Sequence, residues 1–437
     1  MIALFLILVL IYLANFKLNP GHGDALAFRY LPYSIIYERD FDLDEFQEKL
    51  TTLYPTDLYE YPNGEKIPYY LIKVKGHYLS SSGIGPSLLS LPFLFIPIVF
   101  FRLHPESWTI IFLSKLTASV FIALSAILIY LAVRLLSTKK IALFITFIYA
   151  LCSGMWSITS QILIQQTGSE FFLALSIYFL VKGIKKDKFI PFAGFSLASA
   201  AIMRPTNFLI MGIITIYVIH RHRNQFFWYA ISSLPPILLI LGYNYWYHGS
   251  MFLFSQMICN PLGALYKTGS VKMWSTPILK GILGVLISPS RGLFIYSPVF
   301  IFSFFGMILV WKQKRELIFK YFSVVVLAII IIQAKWYDWW GGWTFGCRAL
   351  NDTVPFLVLF IVPAFGYLKT KRRLFIIFVI TIVISFFIQI IGAFFYDNRW
   401  NNSPNIDLHQ YRLWSWRDSQ LLYYIRDIFH EMKLAAD

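Results

Sequence analysis

From Leu374 to Phe395 the chain reads LFIIFVITIVISFFIQIIGAFF, without one charged side chain. Coiled as an α-helix this run reaches roughly 33 Å, enough to cross a hydrocarbon core of about 30 Å. Inside lipid no water is available to backbone N–H and C=O groups, so such a run must bond to itself as a helix. LTASVFIALSAILIYLAV (116–133) is a second example. Transmembrane β-barrels are excluded, because their strands alternate apolar and polar residues. The whole chain is 58% hydrophobic and 14% charged, against about 25% charged in an ordinary soluble domain. These features predict an all-α, polytopic membrane protein.

The formal net charge of +16 would suggest nucleic acid in a soluble protein. Here the cations fall in short clusters between apolar runs: STKK (137–140), KGIKKDK (182–188), HRHR (220–223), WKQKR (311–315) and KTKRR (369–373). Basic connectors favour the cytoplasmic side. Placing all five there threads helices through 1–16, 109–135, 140–159, 168–182, 188–203, 205–220, 226–247, 292–311, 316–335, 353–369 and 373–395, about eleven crossings. The opening run lacks a basic n-region and a small-residue cleavage site, so it is expected to be an uncleaved first helix with a cytoplasmic N-terminus. GIGPSLLSLPFLFIPIVFF (83–101) would invert every later cluster if it crossed. Its prolines predict a segment lying in the outer interface, broken at the surface. Cys152, Cys259 and Cys347 are far apart and show neither a disulfide framework nor metal-ligand spacing. No strong internal repeat of the kind common in carriers is visible.

In this topology the polar, motif-like stretches gather on the outer face. GDALAFRYLPYSII (23–36) predicts a helix over 25–37 lying on the membrane surface, with Phe28, Leu31, Ile35 and Ile36 on one side. Asp24 would be its N-cap and Arg29 a snorkelling cation, or both could serve chemistry. The acids from Glu38 to Glu45 read as a solvated turn. Glu170, in SQILIQQTGSEFF, sits where the chain re-enters the membrane, and an acid at that depth calls for a partner or a function. Arg204, in AAIMRPTNF, runs against the positive-inside bias and matches a lipid phosphate by its planar fork. Arg291, in LISPSRGLF, stands at a helix entry suited to an anion. In KWYDWWGGWTFGCRALND (335–352) four tryptophans crowd a double glycine, Asp338, Arg348 and Asp352. A membrane aromatic belt explains tryptophans; it does not explain Gly341 and Gly342 beside Arg348.

Taken in order, GDALAFRYLPYSII with FDLDEF, GHYLSSSGIGPSLLSLPF, RPTN, SPSRGLFIYSPV, WWGGWTFGCRALND and LWSWRDSQLL cover most of the chain. In these stretches it resembles the GT-C glycosyltransferases, membrane enzymes that use polyprenyl-phosphate-linked sugars. They include protein O-mannosyltransferases and the aminoarabinose transferases of lipid A. The resemblance implies a transmembrane catalytic domain over 1–395, with 17–108 as a first extracytoplasmic loop bearing surface helices, and an extracytoplasmic tail over 396–437. It implies a plasma-membrane enzyme whose partners are a polyprenyl-phosphate sugar and an extracytoplasmic lipid, glycan or protein acceptor. Asp24 and Glu170 match the catalytic acids, although members often pair the first acid with a second, where this chain has Ala25. Arg204, Arg291 and Arg348 match the arginines expected on the donor phosphate. Arg29, Trp339, Trp343 and Asp352 are candidates for sugar or acceptor contact. A divalent cation is compatible with the family, but no compact ligand cluster stands out, so no metal or other cofactor is predicted.

The implied reaction is a one-step, inverting displacement at the anomeric carbon, with Asp24 taking the acceptor proton and arginines neutralising the leaving phosphate. Nucleotide-binding glycine patterns are absent. Two other readings stand beside it. A carrier or flippase for a lipid-linked saccharide would need charges lining a path through the membrane, of which Lys115 is the clearest. A non-catalytic sugar- or lipid-binding subunit would need the tryptophans more than Asp24.

Overall fold

The computed structural model describes residues 1–15, 23–53, 58–60, 65–258, 273–313 and 316–436. Gly21 and His22, Cys259 and the basic pair Lys314–Arg315 lie outside them. The chain is an integral membrane protein, predominantly helical. Five helices among the described residues are long and apolar enough to cross a membrane: Trp108–Leu136, Arg223–His248, Leu317–Lys335, Arg348–Leu368 and Arg372–Phe395. That is fewer than the eleven crossings expected from apolar runs. Ile2–Leu13, Gly85–Val99, Asn207–Arg221, Ile278–Ile287 and Pro298–Lys312 are apolar but shorter.

The shortfall has local causes. The 140–159 run stops being α-helical at Leu151 and ends in a π-turn over Met155–Thr159. The helix Ile190–Met203 ends at Arg204, which is extended because Pro205 disfavours helical geometry before it. The 292–311 run is interrupted at Ser297, ahead of Pro298. Starts are equally legible: Ser107 and Thr138 accept N–H bonds from Ile110 and Ile141 at the heads of the next helices. Close helix approaches use glycine. A Cβ on Gly306 would lie 1.9 Å from the Phe360 carbonyl oxygen, and one on Gly281 1.8 Å from that of Ala334. Small residues at such crossings bring helix backbones into contact where lipid supplies no hydrophobic drive.

The segment between the first helix and residue 108 departs from an all-α reading. Leu58–Glu60 pairs antiparallel with Lys66–Pro68, and Leu71–Val74 with His77–Ser80 in the register Leu71 to Ser80 and Val74 to His77. The second hairpin turns through Lys75 and Gly76, both at positive φ, the geometry a two-residue hairpin loop demands. These hairpins roof the helix Asp24–Tyr33. Leu26, Ala27, Tyr30 and Leu31 pack with Leu43, Leu50, Ile67, Tyr70 and Leu79. The helix is therefore buried around its circumference instead of lying amphipathically on the membrane surface. Gly85–Val99 is one helix carrying Pro92 and Pro97 inside it, not a segment broken at its prolines. It packs between Asp24–Tyr33 and Trp108–Leu136.

The tail is folded. Short turns over Arg399–Asn402 and Gln410–Trp414 lead into the helix Gln420–Ala436, which packs on Arg372–Phe395.

Candidate functional site

Three distant segments meet at Arg348. Its Nη2 lies 3.4 Å from Asp24 Oδ2 and 3.3 Å from Gln166 Oε1. Asp24 is the first residue of its helix. The N-cap is Gly23, at φ +69, so Asp24 does not cap as the sequence suggested. A Cβ on Gly23 would strike the Tyr69 hydroxyl at 2.0 Å, which demands glycine there. An acid in a first turn is favoured by the helix dipole. Gln166 is buried in the first turn of Gln165–Gly183, and its neighbour Gln165 donates to the Ser82 carbonyl at 2.9 Å. The Asp24 and Arg348 side chains each stay about a fifth exposed. A carboxylate, a guanidinium and an amide thus meet at a point that a ligand can reach.

Arg348 leaves a loop, 336–347, whose shape is set by glycine and by the tail. Gly341, Gly342 and Gly346 all have positive φ. The Gly342 N–H bonds to Asp338 Oδ1 at 3.1 Å. Trp340 and Trp343 donate their indole N–H groups to the two oxygens of Asp407, at 3.2 and 2.9 Å. Burial pushes the Asp338 carboxyl up to about 7, and Asp407 adds to this, while the Gly342 N–H, Arg291 and Arg348 pull it down. The fold therefore favours the neutral acid. Its contribution to stability is complete below its ordinary value near 3.8 and is lost as pH rises through about 7. Thermal unfolding in nanodiscs is expected to show stability falling across that window, and Asp338→Asn to remove that part of the slope. Equal slopes in both proteins would show that Asp338 is not the group responsible.

The other residues singled out in the sequence are held inside the protein. Arg204 pairs with Asp352 Oδ2 at 2.5 Å, the two side chains being 14% and 1% exposed. Asp352 Oδ1 accepts from Ser169, whose oxygen accepts from Asn207. Glu170 is fully buried within Coulombic reach of Asp352 and Arg204. Arg291 is also buried; it donates to the carbonyls of Ser290 and Gly342 and to Gln420 and Asn401, and lies over Trp400. Arg29 is buried with its charge acting on Tyr33 and Glu106, not snorkelling at a surface. Trp339 is core, against Gly284 and Trp414, whereas Trp343 is 40% exposed. Of the nine residues picked from the sequence, only Asp24, Arg348 and Trp343 combine chemistry with ready access.

No family model matches the sequence, and no curated protein does. Solved structures do. The oligosaccharyltransferase of Archaeoglobus fulgidus in complex with zinc and sulfate superposes with a TM-score of 0.57 at 13% identity, over 94% of this chain and 57% of that one. The same archaeal enzyme with an inhibitory peptide and a dolichol-phosphate gives 0.54 at 12%, over 95% and 59%. The fold is that of this archaeal oligosaccharyltransferase. This chain spans less than three fifths of the length of the oligosaccharyltransferase it matches.

On this fold three features went unread in the sequence. Gln166 was hidden because glutamine carries no motif signal, and Asp407 because its partners are indoles in another segment. Another is the set Asp42, Asp44 and His77, of which only the two acids were read above, as part of a solvated turn. His77 Nδ1 lies 3.0 Å from Asp42 Oδ2 and 2.9 Å from Asp44 Oδ2, so three ligand atoms stand within reach of one ion. Two carboxylates and an imidazole fit a divalent cation by donor chemistry. FDLDEF runs into a short 3-10 turn at Asp44–Phe46, while His77, 33 residues beyond Asp44, opens the strand His77–Ser80, which is why no compact spacing announced them.

Proposed function

We propose that this protein is a glycosyltransferase that moves a sugar from a polyprenyl-phosphate donor to an acceptor on the extracytoplasmic face, with inversion. The observation that carries the reading is the meeting of Asp24, Arg348 and Gln166 on the fold of an enzyme captured with a dolichol-phosphate. The basic connectors at 137–140, 182–188, 220–223 and 369–373 support an orientation with the N-terminus in the cytoplasm and this site outside.

In the resting arrangement Arg348 holds Asp24. A donor phosphate, with its planar match to the guanidinium, competes for Arg348 and releases the carboxylate. The acceptor hydroxyl or amine then attacks the anomeric carbon, the bond to the phosphate oxygen breaks, and the electron pair leaves with polyprenyl phosphate. Asp24 takes the acceptor proton, and Arg348 stabilises charge on the leaving group. Arg291 and the Arg204–Asp352 pair act on the site from behind, by fixing the loop and the helices that carry it. Trp343 contacts sugar. A carrier is less well supported: Lys115 is held by Gln161 Oε1 at 2.6 Å and Asn15 Oδ1 at 3.4 Å, as part of a local polar cluster.

The test is to incubate the nanodisc-reconstituted protein with a panel of polyprenyl-phosphate sugars and an envelope extract, following free polyprenyl phosphate. Acceptor-dependent release by wild type, absent in Asp24→Asn, is the expected result. Failure of every donor would overturn the reading.

A further inference from the structure

The tail does more than close the fold. Its residues reach into the loop that carries Arg348 at two places. Gln420, fully buried, accepts from the Gly346 N–H at 2.9 Å and donates to the Thr344 carbonyl at 2.9 Å. Asp407 takes the indole N–H groups of Trp340 and Trp343, one on each oxygen. An indole N–H points in one direction in its ring plane, so a carboxylate shared by two of them fixes both rings. The two rings are not equivalent. Trp340 is 4% exposed and serves as the anchor, while Trp343 is 40% exposed and presents a face. Asp338 is folded back over Gly342, the residue before Trp343, and lies within Coulombic reach of the same Asp407 that takes the Trp343 N–H. Its Oδ1 is occupied by the Gly342 N–H, and its Oδ2 lies 3.7 Å from where a Cβ on Gly342 would sit. Gly342 holds this turn at φ +71, a conformation that strains any side chain.

We propose that Trp343 and Asp338 form a saccharide-binding subsite, with Asp407 of the C-terminal tail as the positioning residue that sets the ring. The inference rests on the glycosyltransferase reading for its place in a reaction, but not for its geometry. The chemistry selects the ligand class. A sugar ring has a face of C–H groups that lies on an indole and an edge of hydroxyls that bonds to a carboxyl. A prenyl tail would leave the Asp338 carboxyl unpaired, which is unfavourable. A phosphate would meet the Asp407 carboxylate and be repelled. The ring bound there belongs either to the donor or to a glycan acceptor. The tail, which no catalytic role requires, thereby becomes part of substrate recognition.

The experiment has a binding arm and a turnover arm. In the first, a panel of methyl hexopyranosides and pentofuranosides is presented to nanodisc-embedded protein, and contact is read by saturation-transfer NMR. Wild type is expected to contact at least one. Trp343→Ala is expected to bind it about 10-fold more weakly. Trp343→Phe, which keeps a ring, should retain part of the affinity, and Asp407→Asn, which keeps one acceptor oxygen, should fall between. Asp427→Asn removes a tail acid that pairs with Arg399 away from the loop and is expected to match wild type. In the turnover arm, Trp343→Ala and Asp407→Asn should raise KM for one substrate with kcat nearly unchanged, and the substrate affected identifies the source of the ring. No contact with any glycoside, or equal contact by wild type and Trp343→Ala, would overturn the subsite. A loss of kcat shared by Asp407→Asn and Asp427→Asn would also overturn it, by making the tail merely structural. Glycoside contact without polyprenyl-phosphate release for any donor would instead sink the transferase reading and leave the subsite standing.

Discussion

Asp24→Asn is expected to slow sugar transfer by roughly 10²- to 10⁴-fold, the usual contribution of a positioned general base, while the protein stays folded. Asparagine keeps the shape of the side chain and one oxygen for Arg348. The lost ion pair is long, at 3.4 Å, and both partners are partly exposed, so its removal should cost at most about 1 kcal/mol. Helix entry is preserved, because the left-handed residue that starts this helix is Gly23 and not Asp24. The substitution therefore separates chemistry from folding, which few substitutions in a buried site can do. Single-turnover release of polyprenyl phosphate with donor pre-bound is the measurement. A rate equal to wild type would remove Asp24 as the base. A normal single-turnover rate with a raised KM for the donor would move Asp24 into phosphate placement, through its hold on Arg348.

Asp24 and Arg348 stand 324 residues apart, yet each was legible alone. One is an acid just past an apolar opening helix. The other is a cation beside a double glycine that no membrane belt requires. Their contact was not legible, because it depends on how the first loop folds back, and that loop holds two hairpins, Leu58–Glu60 with Lys66–Pro68 and Leu71–Val74 with His77–Ser80, that no sequence expectation covered. Trp339 and Trp343 illustrate a second limit. Both sit in the same aromatic stretch with the same flanking glycines, but Gly284 opens a slot for the first while Asp407 draws the second outward. Neither partner is near in sequence. Helix number suffered for a third reason. Hydropathy counts apolar residues and is blind to where an extended residue such as Arg204, or a π-turn such as Met155–Thr159, ends the helix early.

The second large effect is one of stability. Asp352→Ala is expected to destabilise the protein by about 3–5 kcal/mol, the usual cost of removing one partner from a buried ion pair. Asp352 is the hub: it binds Arg204 through one oxygen and Ser169 through the other, and Asn207 closes the network on Ser169. These residues tie the starts of the helices Gln165–Gly183, Asn207–Arg221 and Val354–Leu368 together just below Gln166 and Arg348. Without the carboxylate, Arg204 is left as a largely buried charge, 14% exposed, with its hydrogen-bond partner among the described residues gone and Glu170 within Coulombic reach. The double substitution Asp352→Leu with Arg204→Met should therefore recover much of the loss, since Arg204 is no longer left as an unpaired charge. Thermal unfolding in nanodiscs of Asp352→Ala, and of Asp352→Leu and Arg204→Met singly and together as a double-mutant cycle, measures both effects. Additive losses in the double variant would show that the two side chains do not stabilise each other. A catalytic or phosphate-binding role for Arg204 makes the opposite prediction for the double variant: stability returns but transfer does not. If transfer returns together with stability, Arg204 serves the site only by holding these helices in place.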